Sequence, residues 1–257
     1  LQKRLEENNF NKMFVSDRQR RTEMEGNMIF EYQPVTYRHE MKHRINPLEA
    51  QILTSRFDVL FQQDKYSQKD GFYHVHSLYF DTPYDQALKE KLAGVSQREK
   101  FRIRYYNHDL SFIRLEKKIK HNGLCAKQTA RLSVEQVQNI LNGEVDFLLK
   151  SENPLMIDFY SQIKGKLLQP SVIVSYQRQA YVYEISRVRL TIDHHLCTYQ
   201  NKKDFLNLKH GIPIDNHYIL EVKYNEFLPE IVKMSVQGIS QKTSSYSKFA
   251  QCRMMNW

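Results

Sequence analysis

The sequence predicts an α+β fold in which an antiparallel sheet carries helices on its apolar face. Three observations predict it. Several segments alternate apolar and charged residues with a period of two, as half-buried strands do. Neighbouring segments of this kind are joined by short polar turns, Asn107-His108-Asp109 and His121-Asn122-Gly123, which implies a meander of hairpins. Between the strands stand helix-start signals, Asn46-Pro47-Leu48-Glu49 and Ser133-Val134-Glu135-Gln136. In each a polar N-cap precedes Glu or Gln at the third position.

Taken in order, residues 1–33 are polar, with Arg18, Arg20 and Arg21 close together, and read as a flexible leader ahead of a domain spanning 34–257. Tyr37–Ile45 is a strand with Arg38, Glu40, Lys42 and Arg44 on one face. The helix that follows runs to about Leu60, with Leu48, Ile52 and Leu60 among its apolar positions. Tyr73–Phe80 is a strand. Asp81-Thr82-Pro83 stops it and starts a short helix towards Leu92.

Arg98–Tyr106 is the most regular element. In Lys100-Phe101-Arg102-Ile103-Arg104-Tyr105-Tyr106 the apolar residues fall on one face, and Lys100, Arg102, Arg104 and Tyr106 fall on the other. Neighbouring guanidiniums without an interleaved acid suit a phosphate-binding face, because Arg stays charged and forks onto oxyanions. Ser111–Lys120 returns with Arg114, Glu116, Lys118 and Lys120 on one face, and Leu124–Leu132 carries Lys127 and Arg131.

The helix capped by Ser133 ends near Gly143, and a second helical stretch covers about 147–168 with Leu148, Leu155, Phe159 and Ile163 apolar. A long strand, Val172–Glu184, contains Arg178. In the next strand Arg187, Arg189, Thr191 and Asp193 share a face. Residues 200–216 read as a loop with a short paired segment. Tyr218–Tyr224 is a strand bearing Glu221, Phe227–Val236 is helical with Leu228 and Ile231 inward, and Ser244–Phe249 is a short basic tail.

Composition bounds the partners. The 257 residues hold 38 Lys and Arg against 29 Asp and Glu, a net +9. That surplus implies an anionic partner without choosing among polyphosphate, nucleotide, nucleic acid and membrane surface. No stacking pattern typical of RNA-binding modules accompanies it, so nucleic acid is not expected. Cys125, Cys197 and Cys252 are few and far apart, with no CxxC, which argues against disulfides and thiolate zinc and for a reducing, cytoplasmic setting. No run of about 18 apolar residues predicts a transmembrane helix. His39, His43, His74, His76 and His194-His195 read as surface or satisfied histidines rather than metal ligands, Cys125 as an inert thiol, and Tyr79, Phe80, Tyr105 and Tyr106 as packing residues. The charged faces leave two architectures open: a sheet with one wet face, or a closed barrel whose Glu40, Lys42, Arg102, Arg104, Glu116, Lys118, Arg178, Arg189 and Glu221 point inward.

The ordered set of motifs resembles the triphosphate tunnel metalloenzyme superfamily and, within it, the vacuolar transporter chaperone (VTC) catalytic domain and its bacterial relatives, the polyphosphate polymerase domain proteins. The motifs are Tyr37-Arg38-His39-Glu40-Met41-Lys42, Ser77-Leu78-Tyr79-Phe80-Asp81-Thr82, Lys100–Tyr106, Leu115-Glu116-Lys117-Lys118, Tyr176-Gln177-Arg178-Gln179-Ala180, Val188–Asp193, Leu220-Glu221-Val222-Lys223 and Ser247-Lys248-Phe249. The resemblance implies an eight-stranded antiparallel β-barrel tunnel in which ATP donates its terminal phosphate to a growing inorganic polyphosphate chain.

It further implies that Lys42, Arg102, Arg104, Lys118, Lys127, Arg178, Arg189 and Lys248 hold phosphates, with Arg102, Arg104, Lys118, Arg178 and Arg189 the catalytic set. Glu221 would be the principal ligand for Mn²⁺ or Mg²⁺, with Glu40 and Glu116 as secondary candidates. Family members often work beside membrane proteins, so the resemblance implies such a partner supplied by another polypeptide. Two departures stand out. Arg38 sits where the wider superfamily opens with Glu, which favours a polymerase over a triphosphatase, and Ser245 stands where related domains carry a basic residue, with Lys242 further back. Lys117, Lys120 and Arg187 are expected outside the tunnel or at its rim, and Asp193 as an ion-pair partner of a lumenal Arg. The competing readings are a triphosphatase or nucleotidyl cyclase on the same tunnel, and a non-catalytic polyphosphate-binding module.

Overall fold

A computed structural model describes residues 36–239 and 245–255. All of them belong to one compact unit, Val35–Trp257. The leader with Arg18, Arg20 and Arg21, and Lys242 near the C-terminus, lie outside the described residues.

Ten strands form a single sheet: β1 (His39–Ile45), β2 (Gln62–Gln63), β3 (Tyr73–Asp81), β4 (Arg98–Tyr106), β5 (Asp109–His121), β6 (Leu124–Leu132), β7 (Gln169–Tyr183), β8 (Val188–Tyr199), β9 (Ile212–Asp215) and β10 (Tyr218–Tyr224). Eight of them run in the order β1-β10-β8-β7-β3-β4-β5-β6, every neighbour antiparallel. The short β2 and β9 pair with β7 and β8. The sheet curls until its first and last strands meet. Just ahead of β1, the Arg38 N–H donates to the Cys125 carbonyl at 2.8 Å and the Cys125 N–H donates back at 2.9 Å. The closed architecture is therefore the one adopted, with charged side chains turned inward.

Helices cover the outside. β3, β4 and β5 present Leu78, Phe80, Phe101, Ile103, Tyr105, Ile113 and Leu115 to α3 (Val134–Asn142) and α4 (Pro154–Lys166). Ser133 caps α3 as the sequence predicts. The stretch from 147 is less continuous than expected. A 3₁₀ turn occupies Asp146–Leu148, and α4 starts only at Pro154, where Asn153 is the cap and proline's missing N–H costs nothing.

On the opposite wall, α1 (Pro47–Leu60) and α5 (Glu230–Ser235) cover Leu190, Ile192, Leu220 and Val222. The capping box of α1 forms: Asn46 accepts from the Glu49 N–H, and Glu49 accepts from the Asn46 N–H. Its buried face is one the sequence reading did not single out. Ala50, Leu53 and Phe57 point inward, while Leu48, Ile52 and Leu60 are exposed. In α5 Val232, rather than Ile231, is the buried apolar residue, and the helix is shorter than the expected 227–236. Full burial of Leu53 or Phe57 contributes about 1.5–3 kcal/mol each.

The inner face is not wholly polar. Tyr73 and Val75 of β3, and Val172, Val174 and Tyr176 of β7, share their strand faces with lumenal Tyr79 and Arg178. They are covered by α2 (Gln86–Leu92) and by α6 (Lys248–Met255), which buries Phe249, Ala250 and Cys252. The segment read as a short basic tail thus continues as a helix closing one side of the lumen. Asp81 steadies α2 by accepting from the Thr82, Ala87 and Leu88 N–H groups. Arg187 does not join the strand face of Arg189: it has φ 53° and ends a 3₁₀ turn, Glu184–Ser186. No helix among the described residues is long and apolar enough to cross a membrane.

Candidate active site in the tunnel

Alternation on β4 and β5 places the first basic side chains. Their register pairs Arg98 with Lys120, Lys100 with Lys118 and Arg102 with Glu116. All of these except the buried Glu116 line a cavity of about 190 Å³ inside the barrel. β1 and β10 add Glu40, Lys42, Glu221 and Lys223, β7 adds Tyr176 and Arg178, and α2 adds Lys91. The segment 245–249 supplies Ser245, Tyr246, Ser247, Lys248 and Phe249. Eleven Lys and Arg side chains against the two carboxylates Glu40 and Glu221 make this a site for a highly charged anion.

The carboxylates orient the cations. Glu116, with no exposed surface, accepts from Arg102 Nε at 2.7 Å and pairs with its Nη2 at 2.6 Å, with Lys127 at 2.9 Å and with Arg104 at 3.9 Å. Burial pushes its carboxyl up, but Arg102, Arg104 and Lys127 outweigh burial and hold it well below the ordinary range. Asp193 takes both Arg178 nitrogens at 2.6 and 2.7 Å and Lys248 at 2.6 Å, the ion-pair role the sequence suggests. Arg102 donates to the Tyr79 hydroxyl at 2.7 Å, and Arg104 donates to the Ser77 hydroxyl at 2.8 Å. Fixed guanidiniums lose little entropy when an anion arrives.

Glu40 and Glu221 stand on neighbouring strands. Lys42 reaches Glu40 at 2.8 Å and Glu221 at 3.9 Å, Lys118 holds Glu40 at 2.8 Å, and Lys223 holds Glu221 at 2.5 Å. Burial and the mutual repulsion of the two acids raise the Glu40 carboxyl, and Lys118, Lys42 and Lys223 more than reverse this. For Glu221, Lys223, Lys42, Arg178 and Lys248 overcome burial in the same way.

Lys91, Arg98, Lys100 and Lys120 differ from these cations. Among the described residues none makes an ion pair. Lys100 lies over the Phe249 ring at 3.9 Å. Burial, then Arg98, lowers its ammonium to about 7, with Lys91 and Lys118 adding to the effect and Asp81 opposing it.

Of the residues singled out from sequence, Lys42, Arg102, Arg104, Lys118, Arg178, Lys248, Glu40 and Glu221 converge on the cavity. Three do not. Glu116 lies behind Arg102. Lys127 meets Glu116 from β6 but is absent from the lining. Arg189 pairs with Asp64 at 2.5 Å and accepts no place in the cavity wall, its Nη2 donating to the Tyr73 hydroxyl. Lys120, expected outside or at the rim, lines the cavity, whereas Lys117 is outside, bound to Glu99 and Asp158 at 2.8 Å. Lys100, Lys223 and Tyr79 are lining residues that the site expectation omitted. Their strand parity with Arg102, Glu221 and Ser77 was the available signal. His74, His76, His194 and His195 gather away from the cavity, and no group of three or more His, Cys, Asp or Glu among the described residues could hold a metal.

Residues 37–255 match the VTC domain. This chain belongs to the VTC domain family. The match spans every strand described above. A solved structure shares the fold. A putative adenylyl cyclase from Hippeastrum, HpAC1, described as having a dominant triphosphatase activity, is 18% identical with a TM-score of 0.52. The match covers 86% of this chain and 97% of that one. A putative adenylate cyclase from Bacillus halodurans is 17% identical with a TM-score of 0.44, over 80% of this VTC chain and 88% of its own. No curated protein matches the chain.

Proposed function

We propose that this VTC domain is a metal-dependent polyphosphate polymerase that transfers the terminal phosphoryl group of ATP to the end of an inorganic polyphosphate chain. One observation carries the reading. The cavity lining combines fixed guanidiniums, a carboxylate pair on the neighbouring strands β1 and β10, and, among the described residues, four cations that make no ion pair, Lys91, Arg98, Lys100 and Lys120. A hydrolase needs to hold only a triphosphate, and a mere polyanion receptor has no use for a pair of carboxylates that face the cavity.

Phosphoryl transfer asks the protein for alignment and charge neutralisation more than for covalent chemistry. In this reading Arg102, Arg104 and Arg178 grip the phosphates of the donor, with Lys42, Lys118 and Lys248 beside them. An oxygen of the acceptor's terminal phosphate attacks the γ-phosphorus in line. The new P–O bond forms as the bond from the γ-phosphorus to the bridging β–γ oxygen breaks, and ADP leaves with the electron pair. The acceptor oxygen is already ionised near neutral pH, so no general base is required. Lys127 acts indirectly, by holding Glu116 against Arg102. Arg189, paired with Asp64, has no part in the transfer.

Mn²⁺ or Mg²⁺ fits part of the expected ligand set. Glu221 and Glu40 face the cavity close enough to raise each other's proton affinity, and Mg²⁺ is commonly held by one or two carboxylates together with substrate phosphates. Glu116 does not fit, because its carboxylate has no exposed surface, lies behind Arg102 and, unlike Glu40 and Glu221, does not line the cavity. When bound, the ion would neutralise phosphate oxygens and polarise the transferred group.

The alternative is a triphosphatase on the same tunnel, the dominant activity described for the Hippeastrum protein. Arg38 disfavours it: where the superfamily pattern opens with Glu, this chain places an exposed Arg whose backbone closes the barrel. The deciding experiment incubates the protein with ATP and either ion, then resolves the products on a gel stained for polyphosphate beside ADP and phosphate assays. A ladder with stoichiometric ADP, lost in Glu221→Ala, is expected. Free phosphate without a ladder would establish the hydrolase instead.

A further inference from the structure

We propose that Lys42 is an internal counter-ion that keeps the Glu40–Glu221 pair closed to a free divalent cation, so that the metal enters only together with a phosphate chain. This rests on the reading of the tunnel as a metal-dependent phosphate site, and concerns the order in which that site is loaded.

The arrangement follows from register. β1 and β10 pair Lys42 with Glu221 and Glu40 with Lys223, so acid and base alternate around a four-residue patch. Lys42 sits between the two acids, 2.8 Å from Glu40 Oε1 and 3.9 Å from Glu221 Oε2. The outer oxygens are taken as well, Glu40 Oε2 by Lys118 at 2.8 Å and Glu221 Oε1 by Lys223 at 2.5 Å. Every oxygen that could ligate a metal therefore faces an ammonium.

Three lysines and two carboxylates already leave an excess of one positive charge in a largely buried place. A dication added to that set would raise the excess to three, and isolated buried charge is strongly disfavoured. A triphosphate carrying about four negative charges reverses the balance, because triphosphate and dication together bring net negative charge. It also gives Lys42 somewhere to go. The Lys42 side chain is 20% exposed and opens on the same cavity, and an ammonium on a flexible four-carbon stem can exchange a carboxylate for a phosphate without moving the backbone. The carboxylates are then freed at the moment phosphate oxygens are available to complete the metal's shell.

The test is a titration of free Mn²⁺ by electron paramagnetic resonance on the intact protein, with no turnover involved. Wild-type protein is expected to take up no Mn²⁺ alone in the low-micromolar range, and to retain it once inorganic tripolyphosphate is added. Lys42→Met is expected to bind Mn²⁺ alone at least tenfold more tightly than wild type, and Lys42→Met/Glu221→Gln to lose that gain. Lys42→Arg, which keeps the charge, is expected to behave as wild type. Tight Mn²⁺ binding by wild-type protein without phosphate overturns the proposal whatever the variants do, and so does a folded Lys42→Met that gains nothing. Failure to make polyphosphate would count against the polymerase reading alone, since the Mn²⁺ titration stands apart from product formation.

Discussion

Glu116→Gln separates an orienting carboxylate from a metal ligand. The change keeps shape and removes one negative charge from a side chain with no exposed surface, leaving Arg102, Arg104 and Lys127 around a neutral amide. Removing one partner of a buried ion pair costs about 3–5 kcal/mol. Lys127 is 43% exposed and can turn to water, so the low end, about 3 kcal/mol, applies. For a unit of this size each kcal/mol moves Tm by about 2–4 °C, which gives a fall of about 6–12 °C. The deficit is one of missing anion, so an anion should repair it: tripolyphosphate at a hundred times its Kd returns about 2.7 kcal/mol. Differential scanning fluorimetry with and without tripolyphosphate reads both numbers. Turnover should fall as Arg102 loses its brace, while the concentration of divalent ion needed for half-maximal rate stays unchanged. An unaltered Tm, or a metal requirement raised tenfold or more, would refute the reasoning.

Lys100 titrates at about 7 in the free tunnel, and a neighbouring phosphate raises it. Binding at pH 8 should therefore take up protons, and binding at pH 6, where the amine is already charged, should not. Calorimetry in buffers of different ionisation enthalpy checks this, and Lys100→Met should abolish the difference. His76 and His194 are pushed down to about 4, in both cases chiefly by burial, next by a neighbouring histidine (His74 and His195 respectively). The unfolded chain, with histidines near 6.5, binds more protons in that window, so stability should fall as pH drops from about 6.5 to 4. The loss is at most about 3 kcal/mol per histidine, and a His76→Gln variant should flatten part of the slope in urea titrations. Leu53→Ala should cost about 2–5 kcal/mol by leaving a cavity, and Leu48→Ala less than about 0.5 kcal/mol, both measured by chemical denaturation.

The contrast between Leu53 and Leu48 marks a limit of sequence reading. The stretch 47–60 holds two apolar stripes at helical spacing, Leu48/Ile52/Leu60 and Ala50/Leu53/Phe57, and only the sheet beneath decides which is buried. Where strands pair locally, the pattern sufficed. The bounds of β4 and β6 coincide with those read from alternation, because a one-residue slip would turn every Arg of β4 into the outer core. The helix from Lys248 was illegible: its sequence has little amphipathic order, and it forms by docking Phe249, Ala250 and Cys252 onto the inner wall. At the site, parity placed most side chains correctly. It could not show that Arg189 meets Asp64, a residue from a distant turn, or that Glu116 is consumed by Arg102.

The seam between β1 and β6 gives the barrel the mechanics of a split ring. Along the eight-strand path adjacent strands share ladders of five to ten register pairs, but here, among the described residues, one bridge of two hydrogen bonds closes the circle, with the Lys118–Glu40 ion pair spanning the same gap. The hoop can widen at this one joint with no other ladder broken. A chain of phosphates gripped by Lys42 on one lip and Lys118 on the other would act as a clasp, so the girth of the lumen and the occupancy of its contents become a single variable.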